Sequence, residues 1–235
     1  MLDSYLRPHI DPILGKIAAF LWARNITPNM ITFTGAMVAV YCFVALILKF
    51  YMLALIFLIV NRICDGLDGV LASHIDTKNA KSTDDQKIGT TPLGSFLDIV
   101  FDMLFYGGFV FFYAWGRPDV GDAAAFLLFA FMGTSASFLA HAILVEKHGT
   151  PKQSKHINKG FFYSIGLIEG SETIIFFALM CLIPSWFNAI AGVFGALCFV
   201  TTFARIRTTY NEYAPIATTD KEKSAPKKDA QKSKK

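Results

Sequence analysis

Charge is scarce in this chain. Asp, Glu, Lys and Arg make up 17% of its 235 residues, where an ordinary soluble domain carries about 25%. A soluble fold of this length would need more of them on its surface. Cysteine offers little chemistry: Cys42, Cys64, Cys181 and Cys198 all lie in apolar stretches, none paired at metal-ligand spacing. That pattern argues against a zinc site or a disulfide framework and reads the four as reduced, buried, small hydrophobes. No secretory leader is expected from the first residues, where acids and prolines interrupt what should be a basic-then-apolar run. The net charge of +4 comes mostly from lysines near the C-terminus and gives no case for a nucleic-acid partner.

Apolar residues fill the space that charge leaves. They reach 54%, with 23 Phe. Met30 to Leu48, Ala123 to Leu144 and Trp186 to Ala204 run 19, 22 and 19 residues without a single Asp, Glu, Lys or Arg, close to the roughly 20 residues a bilayer-spanning helix needs. The expected fold is all-α and polytopic, with six transmembrane helices at about 30–48, 50–72, 96–116, 123–144, 163–183 and 186–204. Before them, Leu6, Ile10, Ile13, Leu14, Ile17 and Leu21 recur at helical spacing among Arg7, Asp11 and Lys16, as in an amphipathic helix lying on a membrane surface. The domain plan is a juxtamembrane helix over 1–29, a six-helix catalytic domain over 30–207 and a disordered Lys-rich tail over 208–235.

Positive charge orients this plan. Of the 22 Lys and Arg, only Lys49 and Arg117 fall in loops on one side; Arg62 lies within a span, and the rest fall on the other side or in the tail. Basic loops stay in the cytoplasm, so both termini are expected there, with Lys81 and Lys155 inside and Asp119 outside. The reading is an integral protein of the cell (inner) membrane, in contact with membrane lipids.

The acids that remain are unevenly placed. Asp65 and Asp68 are three apart at the cytoplasmic end of the second span, and Asp98 and Asp102 are four apart at the start of the third. Each pair shares a helix face, and adjacent antiparallel helices can bring all four together. Four carboxylates without a cation repel one another, and dehydration adds to the cost. A hard divalent ion relieves both, and an all-oxygen donor set suits Mg²⁺ or Mn²⁺, one or two ions, or Ca²⁺, rather than zinc. Such ions hold phosphate oxygens, and a remaining carboxylate can deprotonate a hydroxyl. Gly66 and Gly69 are costly inside a helix unless something must approach the backbone there.

The spacing D-x2-D-G-x2-A over Asp65, Asp68, Gly69 and Ala72, followed by G-x3-D-x3-D over Gly94, Asp98 and Asp102, resembles the signature of the CDP-alcohol phosphatidyltransferases. Pro28, Asn29 and Thr32 resemble that family's P-N-x2-T start of the first span. The resemblance implies a six-helix membrane enzyme, usually a homodimer, that transfers a phosphatidyl or related phospho-alcohol group from a CDP-linked donor such as CDP-diacylglycerol to an acceptor hydroxyl, releasing CMP, in phospholipid biosynthesis. It implies Asp65, Asp68, Asp98 and Asp102 as the aspartates of the metal site, with Asp102, the fourth, as the base. It also implies Asp65, Gly69, Ala72, Thr91 and Gly94 beside the CDP donor. Two departures stand out: Ser73 replaces the family's arginine after Ala72, and the stretch from His74 to Leu93 is much longer than usual. Lys87 and Arg62 are candidates to replace the lost arginine, and the insert reads as a solvated loop.

An acceptor that is a small polyol, or a phosphorylated one, needs polar partners facing the metals. Lys159, Glu169, Glu172 and Arg205 are the candidates, the two glutamates because acids inside a span are functional by default. His141 reads as a packed polar residue and His74 and His148 as wet ones. Two other classes stay open: a cation-coupled transporter, which would spread its acids through the membrane depth, and a non-catalytic scaffold of the same fold.

Overall fold

The computed structural model describes residues 3–79, 89–148 and 170–224. These form seven helices and no strand: α1 (Asp3–Ala23), α2 (Pro28–Ile47), α3 (Tyr51–Asn79), α4 (Pro92–Gly116), α5 (Gly121–His148), α6 (Gly170–Leu182) and α7 (Phe187–Ser224). Short 3-10 turns at Pro118–Val120 and Pro184–Trp186 join α4 to α5 and α6 to α7.

The helix ends follow from local chemistry. Thr27 is extended before α2, and Pro28 takes its first position, where the missing N–H costs nothing. Asn25 and Lys49 are left-handed, with φ of 59° and 62°. They reverse the chain after α1 and α2. The Lys49 turn closes with the Phe50 amide donating to the Ala45 carbonyl at 2.8 Å, so α3 folds straight back on α2. Gly35 permits the close approach: a Cβ there would stand 3.3 Å from that of Cys64, and its carbonyl accepts from Asn61 Nδ2 at 2.8 Å.

Each of the six expected spans falls on a helix from α2 to α7, but four are long and apolar enough to cross a membrane: Pro28–Ile47, Pro92–Gly116, Pro118–His148 and Pro184–Ala214. The other two, α3 and α6, fall short of that measure for two different reasons. Helix α3 has 29 residues, but Arg62, Asp65 and Asp68 fall among its first 18. In α6 the described part is 13 residues; the expected start at 163, with Lys159 and Glu169, lies outside the described residues. Helix α1 is present, but its apolar residues occupy two faces. Leu14 and Ala18 pack on Leu67, Leu71 and Ile75 of α3, while Ile10, Ile13, Ile17 and Phe20 are exposed. Helix α7 runs on past residue 207 to Ser224; the rest of the expected tail lies outside the described residues.

The main core is aromatic. Phe109 stacks on Phe177 at 4.1 Å, Phe176 on Phe194 at 4.4 Å and Tyr113 on Phe187 at 4.3 Å, joining α4, α6 and α7. Tyr113 donates its hydroxyl to the Met180 carbonyl at 3.0 Å, so its polar end is satisfied inside the bundle. All four cysteines are free, and three are buried.

Helix α2 packs against both α3 and α4, and these two have little direct contact with each other. The two aspartate-bearing helices therefore face each other across a gap that α2 bridges. They run antiparallel, since Asp76 meets Thr90 near one end and Arg62 meets Asp102 farther along. A cavity lies between them.

Candidate functional site

The cavity has a volume of about 210 Å³, and all four motif aspartates line it. Asp65 and Asp68 come from α3 and Asp98 and Asp102 from α4, so the periodicity that puts each pair on one face is realised across the gap. Asp68 is 7% exposed, and the side chains of Asp65 and Asp102 are 38% and 31% exposed. Helix α2 closes the third side and explains Thr32, whose hydroxyl donates to Asp68 Oδ2 at 2.6 Å. Asn61 and Arg62 also line it, and Ala36, Ala39, Val40, Phe43 and Leu104 supply an apolar wall. The cavity thus has a carboxylate end and a hydrocarbon end.

Arg62 crosses it. Its Nη1 is hydrogen-bonded to Asp102 Oδ1, donates to the Tyr106 hydroxyl at 3.1 Å and lies 3.6 Å from Asp65 Oδ2. Its Nε and Nη2 donate to Asn61 Oδ1 at 3.0 and 2.7 Å. The guanidinium carbon stands 4.7 Å from the ring centre of Phe105 and 5.2 Å from that of Tyr106, both within cation–π range. Four carboxyl groups thus share one guanidinium. Among the described residues, no three acidic, His or Cys side chains are grouped closely enough to hold one ion as they stand. The donor set nevertheless fits a hard divalent cation: four carboxylates face one cavity, with no sulfur or imidazole among its lining residues.

The other candidates fall in different places. Gly69 is exposed, and nothing lies within 4 Å of the Cβ it lacks, so the backbone is open to a ligand there. At Gly66, by contrast, a Cβ would stand 3.4 Å from Leu14 Cδ1 of α1. Ala72 is half-buried and Ser73 exposed. Thr91 caps α4, its hydroxyl accepting from the Gly94 amide at 3.0 Å. Asn29 Oδ1 would stand 3.6 Å from a Cβ at Gly94, which sets the α2 and α4 starts side by side. Arg62 does not replace the arginine missing at Ser73. The two are 11 residues apart on one helix, roughly 16 Å along its axis.

The expected solvated loop over 74–93 is partly helix. Helix α3 continues to Asn79, with Ile75 1% exposed. Asp76 then accepts from the Thr90 amide at 3.2 Å and from its hydroxyl, and a Cβ at Gly89 would fall 1.9 Å from Asp76 Oδ1. The segment 80–88, with Lys87, lies outside the described residues. Arg205 is 8% exposed and ties α7 to α5, donating to the Thr134 carbonyl at 2.9 Å and to Ser137 Oγ at 3.1 Å. Glu172 lies in the first turn of α6. His141 has a partner after all, Thr209 Oγ1 at 3.0 Å from Nδ1, and His74 packs edge-on to Trp22.

The chain is 40% identical over 211 residues to the inner membrane protein YnjF of Escherichia coli (strain K12), covering 89% of this chain and 96% of that one. A protein of Aquifex aeolicus (strain VF5) is 28% identical over 102 residues, 43% of this chain and 46% of its own. The fold is shared with the crystal structure of Mycobacterium tuberculosis phosphatidylinositol phosphate synthase with CDP-DAG bound, at a TM-score of 0.62 and 17% identity, over 85% of this chain and 94% of that one. The family model for CDP-alcohol phosphatidyltransferases matches residues 25–204, a span that holds all four aspartates and Thr32, and the chain belongs to the CDP-alcohol phosphatidyltransferase family.

Proposed function

We propose that the chain transfers a phosphatidyl group from CDP-diacylglycerol, or a similar CDP-linked lipid, to the hydroxyl of a small polyol or phosphorylated acceptor, releasing CMP, with Mg²⁺ or Mn²⁺. The observation that carries this reading is one cavity with both ends the reaction needs. Four aspartates converge at one end, and Ala36, Ala39, Val40, Phe43 and Leu104 offer an apolar wall at the other. A donor with a charged diphosphate and lipid chains matches that division. The solved neighbour of the same fold is described with CDP-DAG bound, which supports the donor class.

Asp65, Asp68 and Asp98 would hold the ion, with Asp102 bordering it. When bound, the ion neutralises diphosphate charge and polarises the phosphorus under attack. The residues do the rest. Thr32 fixes Asp68, so that carboxylate is aimed before any ligand arrives. Gly69, Ala72, Thr91 and Gly94 form the nucleotide side, where the bare backbone at Gly69 leaves room. Asp102 takes the acceptor proton as the acceptor oxygen bonds to phosphorus. The phosphorus–oxygen bond to CMP breaks, and CMP leaves with that electron pair. Lys159, Glu169, Glu172 and Arg205 are assigned to the acceptor side. The enzyme sits in the inner membrane as a six-span homodimer with both termini cytoplasmic.

Purified protein given CDP-diacylglycerol, Mn²⁺ or Mg²⁺ and a panel of polyols and polyol phosphates is expected to release CMP and form a lipid product seen by mass spectrometry. Chelation should abolish both. No CMP release with any acceptor, from folded protein, ends the proposal.

A further inference from the structure

Arg62 lies outside the family signature that marks the aspartates, yet among the described residues it is the one basic residue lining the cavity. A guanidinium within a spanning helix is costly, and this one is held unusually firmly. Asn61 engages Nε and Nη2, and Asn61 is itself anchored on the Gly35 carbonyl of α2. The rings of Phe105 and Tyr106 flank its charged head. The remaining Nη1 is directed at Asp102 Oδ1 and the Tyr106 hydroxyl. With its side chain 10% exposed, the guanidinium is a fixed fork rather than a mobile counter-ion.

That arrangement constrains Asp102. A free aspartate turns about two side-chain bonds; this one has Oδ1 claimed by a donor that cannot follow it. Oδ1 is thereby turned toward α3, and Oδ2 is left as the freer oxygen. We propose that Arg62 is a positioning residue for the transfer reaction: it holds Asp102 by one oxygen so that the other is aimed, singly, at the acceptor hydroxyl. The proposal rests on Asp102 being the proton acceptor described above. Arg62 touches neither donor nor acceptor in this role and acts wholly through Asp102.

A double-mutant cycle tests it, with Arg62→Lys, Asp102→Asn and the pair. Lysine keeps the charge and loses the fork. Turnover of Arg62→Lys is expected to fall by about 10²-fold, the scale of a small misplacement of a reacting group, with KM for CDP-diacylglycerol unchanged. In the Asp102→Asn background the same substitution should alter turnover by no more than about twofold, because its route of action is already gone. Multiplying losses, or wild-type turnover in Arg62→Lys, overturn the proposal. Arg62→Gln is carried through the same cycle, so a folding defect in one variant leaves the other to decide. A second readout needs no activity: thermal unfolding in chelator. There each single variant is expected to melt several degrees lower and the pair to lose less than the sum. Additive losses would overturn the tether. Wild-type protein that releases no CMP defeats the proposed reaction instead, and the unfolding cycle still decides whether Arg62 holds Asp102.

Discussion

Asp102 sits one turn beyond Asp98 on the same face of α4, bordering the cavity while bonded to Arg62. Its two possible roles separate by substitution. Asp102→Asn keeps the size and removes the base, so turnover should fall by about 10² to 10⁴-fold while Mn²⁺ affinity, measured by calorimetry, stays near wild type. Asp65→Asn and Asp98→Asn should each weaken that affinity. Loss of ion binding in Asp102→Asn would make it a ligand instead. The aspartates were legible in the sequence because three- and four-residue spacing puts carboxylates on one helix face. Asn61 and Tyr106 were not, and Arg62 was read only as a candidate to replace the lost arginine, although the signal was present. Arg62 precedes Asp65 by three residues and Tyr106 follows Asp102 by four, so each extends an acidic face by one turn. What the sequence withheld is that those turns meet, since Arg62 reaches across from α3 to α4.

At the scale of helices, hydrophobic runs placed six elements well, but the extension of α3 was missed. Family spacing made 74–93 read as an inserted loop. The competing signal was Leu67, Leu71 and Ile75 at four-residue intervals, a stripe that α1 buries and that continues the helix beyond the motif. Close contacts between helices were also hidden, because a glycine in a span gives no hint of what it meets. Gly116 illustrates this. A Cβ there would lie 2.6 Å from the Leu46 carbonyl oxygen and 2.8 Å from that of Ile47, and backbone cannot swing aside as a side chain can. Gly116→Ala should therefore force α4 away from the end of α2, with a loss of about 1–3 kcal/mol typical of overpacking. Gly107 lies in the same helix with nothing within 4 Å of its missing Cβ. Gly107→Ala should be neutral or slightly stabilising, since glycine costs roughly 1 kcal/mol in a helix interior. Thermal unfolding in detergent compares the two. Equal melting temperatures would mean that the α2–α4 contact is not that tight.

For the whole molecule, orientation is a matter of which charges can cross a bilayer. The turn between α4 and α5 holds Arg117 and Asp119, paired at 2.6 Å. Arg117 also donates to the Pro184 carbonyl, which pins the turn before α7 to the same end of the bundle. Trp115 and Trp186 are exposed there, at 65% and 64%, as aromatic residues are at a headgroup boundary. Among the described residues, Arg24, Lys78 and Lys147 belong to the other end. Helix α5 joins the two, with 28 residues, roughly 42 Å long against a hydrocarbon core of about 30 Å. Asp119 and Lys147 should therefore lie on opposite sides of the membrane, with Asp119 outside. In a variant lacking the native cysteines, Asp119→Cys should react with a membrane-impermeant thiol reagent added to intact spheroplasts. Lys147→Cys should react only after the membrane is opened. Both positions are exposed in the fold, so burial in the bundle does not shield either from the reagent. Reversed labelling would invert the orientation and move the aspartate cavity to the outer face, away from cytoplasmic CDP-linked donors. Labelling of both from outside would mean that α5 does not cross, and the six-span arrangement would fall with it.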